Sequence, residues 1–314
     1  MQSLLEYALT SIVMKHVPTK GLPPYLVEMV NGNSERIRET VKWTKILSRN
    51  AYSFKDVPEI LKREKLLCMA AVHNEPHILP LIPLEMKTEE LCRVAVIRRA
   101  SSLQYVPNER RTDAIIIAAI NNSHEAFSDD LIKLVPDERK TEPICLAAVL
   151  KNGLNLQHIP NERKTEAICL AAVLNKGLAL EYVPKERKTD AICLAAVTKD
   201  GVALEFVPEE RITETVCLAA VTKNGLALEF VSEKMRTDAI CLAAVRNNAY
   251  VLFFLSDQSK TEPICLAAVL KNGYVLQFVP EEKRTETLCR VAFTQYTYTI
   301  NFAPPHIARR LISS

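Results

Sequence analysis

The chain carries two kinds of apolar run in a fixed order. The first is long and apolar on nearly every side, as in "AICLAAVL" at 167–174; the second is shorter and interrupted by a polar residue, as in "LALEYV" at 178–183. The pair returns at 191–198 and 202–207, 24 residues on. A run with no polar face predicts a helix that other elements cover on most sides. The strict return of the pair predicts that those covering elements are further copies of the same unit.

Cysteine marks the register. It stands at 68, 92, 145, 169, 193, 217, 241, 265 and 289, and the last seven are each 24 residues apart. Ile116 takes the place between Cys92 and Cys145, and five extra residues then shift the phase. About ten units follow from this register, from roughly residue 36 to 304, the first of them weak and the one at 241 the most divergent in its second half.

Between the runs the punctuation is regular. Thr stands four residues before the cysteine position at 88, 112, 141, 165, 189, 213, 237, 261 and 285, usually with an acid after it. A Thr hydroxyl accepts from a free N–H of a first helical turn, and the acid suits the positive end of the helix dipole. Pro143 and Pro263 fall inside that first turn, where proline is tolerated. Gly153, Gly177, Gly201, Gly225 and Gly273 stand eight residues after the cysteine, where a left-handed residue would close the helix. Val-Pro then ends the second run, and proline can open a fresh turn. The unit therefore reads as helix, glycine turn, short second helix, proline-started turn, next cap.

A rival reading makes "LALEYV" a strand, since 24 residues also suits a leucine-rich repeat. The L-x-x-L-x-L-x-x-N pattern is missing, and Ala and Glu are mediocre strand residues. The expected fold is all-α: an α-solenoid of about ten 24-residue helix-turn-helix repeats with terminal caps. Residues 1–35 are expected to form an N-terminal cap, 36–304 one elongated array, and 305–314 a C-terminal cap or tail.

Units such as "CLAAVLNKGLALEYVPKERKTDAI" resemble a family of tandem helical repeats known only as a domain of unknown function, whose pattern runs close to LAAVKQNGxALxYASEELKxD. The resemblance covers about residues 62–304, and "LAAV…NGLALEFVSEK" at 218–234 is especially close. Its members occur in bacteria, including effectors of intracellular pathogens, and in protists and large viruses. The resemblance implies a helical repeat protein without an assigned activity, and it opens the reading of a secreted bacterial effector. It supplies no catalytic residues. This chain departs from the pattern in its repeated Cys and in Pro where the family has Ala-Ser, which changes packing detail only.

Composition changes this picture little. With 314 residues, 48% hydrophobic, 25% charged and a formal net charge of +3, the chain has no basic excess that calls for nucleic acid or an anionic membrane. Glu6 inside the first apolar stretch, with no basic segment before it, makes a poor signal peptide. No apolar run approaches the roughly 18 residues that a membrane span needs. A cysteine always at one place in an apolar run reads as a small buried hydrophobe, with no disulfide and no metal, in a reducing cytosol of the producer or of a host.

Charged positions before each Thr stack into ladders. Glu109, Glu138, Glu162, Glu186 and Glu210 form one; Arg110, Arg139, Arg163 and Arg187 a second; Arg111, Lys140, Lys164 and Lys188 a third. Opposite signs within five residues sum to zero, so the ladders read as local ion pairs on a solvated edge rather than a phosphate track. The six histidines share no repeat position, and no HExxH, phosphate loop or GxSxG is present. The sequence points to no enzyme and no cofactor, with a cysteine-dependent activity the weakest alternative and a nucleic-acid-binding repeat the stronger one.

Sites are sought where the template breaks. The 116 unit carries its extra residues in "NNSHEAFSDDLIKL", a longer loop expected to expose His124 or Phe127. The 241 unit has Phe253 where neighbours carry Glu or Gln, with Arg246 and Tyr250 near it. Arg98 and Arg99 end the first helix of the 92 unit, and Tyr296 and Tyr298 decorate the last unit. Arginines and exposed aromatics are the residues that most often anchor protein interfaces. The expected function is a non-enzymatic scaffold, monomeric by preference, that binds a protein partner.

Overall fold

A computed structural model describes residues 24–124 and 128–313. Every regular element among them is helical, and no strand occurs. Two compact bodies divide the chain at Val135/Pro136.

The first body contains helices α1 (Pro24–Leu47), α2 (Lys65–Asn74), α3 (Glu89–Arg98), α4 (Asp113–Asn122) and α5 (Ser128–Lys133). The second contains α6 (Glu142–Lys151), α7 (Glu166–Asn175), α8 (Asp190–Lys199), α9 (Glu214–Lys223), α10 (Asp238–Asn247), α11 (Glu262–Lys271), α12 (Glu286–Gln295) and α13 (Pro305–Ser313). Within the first body α1 to α4 pack each on the next, and so do α6 to α13 within the second. This is the all-α solenoid that the repeat predicts. Helix α1 runs through the expected start of the array at residue 36, and α13 buries Ile307 and Leu311 at the other end.

One unit shows how the sequence builds the rest. Thr165 has extended backbone and accepts from the Ile168 N–H at 3.4 Å, capping α7. The same cap bond forms at Thr88, Thr189, Thr213, Thr237 and Thr285. Ile168, Cys169, Ala172 and Val173 are buried along the helix. At its end Lys176 turns extended, and residues Gly177–Tyr182 make a 3₁₀ helix that buries Ala179 and Leu180. Val183 stops that helix, Pro184 starts a single 3₁₀ turn over Lys185–Arg187, and Thr189 caps the next helix. Apart from α5 in the 116 unit, second-run helices are thus 3₁₀ rather than α: six residues held between an extended residue and the Val-Pro step leave room for no more than two tight turns. Truncating a buried Leu180 to Ala should cost about 2–5 kcal/mol.

The glycines do a different job from the one expected. The helix is closed by the extended residue before them, and the glycine is the first residue of the 3₁₀ helix. What demands glycine is space: a Cβ on Gly153 or Gly201 would lie 2.3 Å from the backbone oxygen of Ala172 or Ala220 in the next unit. Missing side chains let successive units close on one another.

A second correction concerns the ladders. In most units the basic residue just before Thr turns inward to a backbone carbonyl instead of joining a solvated edge, while Lys260 keeps a local pair with Asp257 at 2.9 Å. Lys140, Lys164 and Lys188 donate from Nζ to the backbone oxygens of His158, Tyr182 and Phe206 at 2.7, 2.8 and 2.8 Å. Lys140 and Lys164 are only 6% exposed. Arg236 and Arg284 repeat the bond to Phe254 and Phe302. Each cation thereby ties its own unit to the end of the 3₁₀ helix in the unit beyond. Burial lowers the pKa of Lys164 and Lys188. The outer ladder does form local pairs: Arg211 with Asp190 at 2.7 Å and Lys185 with Glu210 at 3.4 Å.

Candidate functional site

The repeat position nine residues after the cysteine lies at the start of the 3₁₀ helix and changes character along the array. It holds Leu154, Leu178, Val202 and Leu226 in the middle of the array, Tyr250, Tyr274 and Tyr298 in the last three units, and His77 and Ser101 in the first body. Two candidate sites grow from this one column.

The first is aromatic and lies in the second body. Tyr250, Tyr274 and Tyr298 are 50%, 37% and 62% exposed, so a 3₁₀ helix that buries its Ala/Val and Leu presents these rings outward. Tyr274 stacks on Tyr296 with centroids 4.2 Å apart, and Tyr298 meets Phe302 edge-on at 5.9 Å. Phe253, 63% exposed, contacts Phe254 at 5.5 Å and Phe278 of the following unit at 5.3 Å. Tyr274 and Phe253 are therefore held by rings of the following unit, and Tyr298 by a ring of its own unit.

Of the residues singled out in the sequence, the structure places Tyr250, Phe253, Tyr296 and Tyr298 on exposed positions of this region. Arg246 is exposed at the end of α10, with no hydrogen bond or ion pair to Tyr250 or Phe253. Sequence reasoning missed Tyr274, Phe278 and Phe302, although Tyr274 occupies the same repeat position as Tyr250 and Tyr298, and that column was readable.

The second is a cavity of about 720 Å³ in the first body, lined by both polar and apolar groups. Its walls include His77, Arg98, Arg99, Ser101, Gln104 and His124. The structure thus brings together two template breaks that lie apart in sequence: the basic pair ending α3 and the residue entering the insertion of the 116 unit. Beyond the insertion the register is recovered by Leu131, Ile132 and Val135, all buried. Arg111 confirms this, since it donates to the Leu134 carbonyl at 3.3 Å, the equivalent of the Lys164 bond displaced by five residues. Phe127 lies outside the described residues.

Arg98 contacts the Nε2 of His73 at 3.3 Å, and Arg99 pairs with Glu75 at 3.1 Å. His77 meets Tyr105 edge-on, and its Nδ1 is buried without a hydrogen-bond partner. His77, Ser101 and Gln104 were not singled out from the sequence; for His77 and Ser101 the signal was a polar residue where the middle units carry Leu or Val, whereas Gln104 follows the template, which is polar at its position.

All nine thiols are buried. Burial pushes each of them above the ordinary 9.0, Cys68 to about 11. Sγ of Cys169 donates to the Lys164 carbonyl at 3.7 Å, and most of the others make the equivalent bond. Among the described residues no three His, Cys, Asp or Glu side chains are grouped so as to hold a metal ion, and no helix is long and apolar enough to cross a membrane.

Comparison with curated proteins finds no match, and comparison with solved structures finds none. Four overlapping windows, 141–188, 166–212, 189–236 and 213–260, each match the family model described as a domain of unknown function (DUF4116). The matched stretch is shorter than the 62–304 over which the units resemble that pattern, and each window spans about two of the repeats described above. The tandem repeats of residues 141–260, less than half of the chain, are thus similar to the repeats of the DUF4116 family.

Proposed function

We propose that the chain is a non-catalytic scaffold that binds a protein partner through the aromatic face of residues 250–302. One observation carries this reading: Tyr250, Tyr274 and Tyr298 replace, in three successive units, the Leu or Val of the four units before them, and all three rings are exposed. Large rings held by neighbouring rings lose little freedom on binding, which is what makes aromatics effective anchors. Buried thiols with raised pKa values are poor nucleophiles, which supports recognition over catalysis. The resemblance to repeats of bacterial effectors extends the reading to a host protein as the partner.

The test is a pull-down from eukaryotic and bacterial lysates after nuclease treatment, followed by titration of the purified partner. Wild type should retain a stoichiometric protein from the eukaryotic lysate, and a Phe253→Ser, Tyr274→Ser variant should lose it by at least about tenfold in affinity. A Leu150→Ser variant, exposed but outside the face, should retain it. Recovery of nuclease-sensitive material alone, or equal binding by all three proteins, overturns the reading.

A further inference from the structure

The cavity of the first body stands independently of the aromatic face and calls for a different kind of ligand. Four features define it. Its volume, about 720 Å³, falls within the ~300–1,000 Å³ typical of small-molecule sites. Two guanidinium groups, Arg98 and Arg99, line it, against one carboxylate in contact, Glu75 on Arg99. Each guanidinium has five N–H donors, so one bond to His73 and one to Glu75 leave most of that capacity available. His77 and Ser101 put polar groups where six later units place Leu, Val or Tyr before the last tyrosine, so the polarity belongs to this cavity and not to the repeat.

Further donors complete the lining. Gln104 and Asn122 already donate to the Ser101 and Ala118 carbonyls at 3.1 and 2.8 Å, which leaves each one amide N–H, His124 adds ring nitrogens, and Leu131 and Leu134 supply an apolar wall. A carboxylate has two oxygens and fills a single guanidinium fork. A phosphate monoester offers three terminal oxygens and about two negative charges near neutral pH, which matches two arginines with neutral donors around them. The leucine wall suits an apolar body attached to the phosphate.

We propose that this cavity binds a small phosphorylated molecule, its phosphate held by Arg98 and Arg99 and its apolar body against Leu131 and Leu134. Both arginines are exposed enough that replacing them does not disturb the core.

Isothermal titration of the full chain with phenyl phosphate, inorganic phosphate and benzoate tests the assignment. Phenyl phosphate should bind at one site per chain, and more tightly than either fragment by about tenfold or more. Arg98→Gln should weaken it by about tenfold and Arg98→Lys by less, because lysine keeps the charge but not the fork. Ser101→Leu, which restores the apolar template, should block it, whereas Arg246→Gln in the other body should change nothing. Thermal melts of each variant separate lost binding from lost folding. Absence of phenyl phosphate binding at millimolar concentration, equal binding by Arg98→Gln, or benzoate binding as tightly as phenyl phosphate overturns the proposal.

Discussion

The ammonium group of Lys164 lies 2.8 Å from the carbonyl oxygen of Tyr182, eighteen residues further on. The carbonyl belongs to the last residue of a 3₁₀ helix, whose final carbonyls have no partner inside the helix. A cation from the preceding unit supplies one. The same residue's own carbonyl accepts from the Cys169 thiol, so one lysine joins three elements of the repeat.

Replacing Lys164 by methionine keeps the stem and removes the donor. Burial already disfavours the charge, so part of the bond's worth is offset, and the loss should be about 1–2 kcal/mol. Lys164→Arg should cost less, since Arg236 and Arg284 make the equivalent bond in their own units. Urea unfolding of the three proteins checks this; a methionine variant as stable as wild type would remove the clasp from the account.

This cation is missing before Thr213, where Ile212 stands in place of Lys or Arg. Ile212→Lys should bring an ammonium to the Phe230 carbonyl, the matching position, and stabilise the chain by about 1 kcal/mol. A rise in the urea midpoint is the expected result. No rise, with the lysine accessible to acetylation in the folded protein, would mean that the side chain stays in solvent.

Gly201→Ala places a methyl 2.3 Å from the Ala220 oxygen, a backbone atom that can move only if the next unit moves with it. The expected cost is about 1–3 kcal/mol. Gly273→Ala should cost less, because its nearest atom is Ala292 Cα at 3.0 Å, and the reduced freedom of the unfolded chain offsets part of the strain. Ala249 occupies this position in its own unit, so a stack built for a methyl exists and the variants should fold. If the two variants are equally stable, contact distance is not what selects glycine.

Much of this arrangement was legible before any coordinates. The 24-residue period, the threonine caps and the alternation of a long and a short helix follow from residue type and spacing alone, because caps and apolar runs are local signals. Lys164 and Arg163 look alike in sequence, and only the stacking of one unit on the next turns the first inward. The one available hint was that the position before Thr is basic in every unit except at Ile212, whereas the position before it drifts to Met86, Met235 and Ser259. Gly201 was misread for the same reason, since its constraint comes from Ala220 in another unit. Arg98 and His124 were each noticed as breaks, but that one cavity joins them follows only from the packing of α3 on α4.

The thiols give a pH dependence whose sign is fixed. In the unfolded chain a thiol ionises near its ordinary 9.0; in the folded chain burial raises all nine, Cys68 to about 11. Between those values the folded state binds more protons than the unfolded state, so stability falls as pH rises. The contribution is complete below 9.0 and is lost as pH climbs through the folded values. Lys164 and Lys188 act in the opposite direction, gaining stability between their lowered values and 10.5, but they are two groups against nine. The urea midpoint should therefore drop between about pH 8 and about pH 10, and a Cys169→Ala, Cys193→Ala variant, less stable at neutral pH, should show a shallower drop. Labelling with a thiol reagent in the folded state should be slow and uniform across the nine positions. One rapidly labelled cysteine would restore a catalytic thiol to consideration, and a flat pH profile would mean that the buried thiols do not hold their protons as the packing requires.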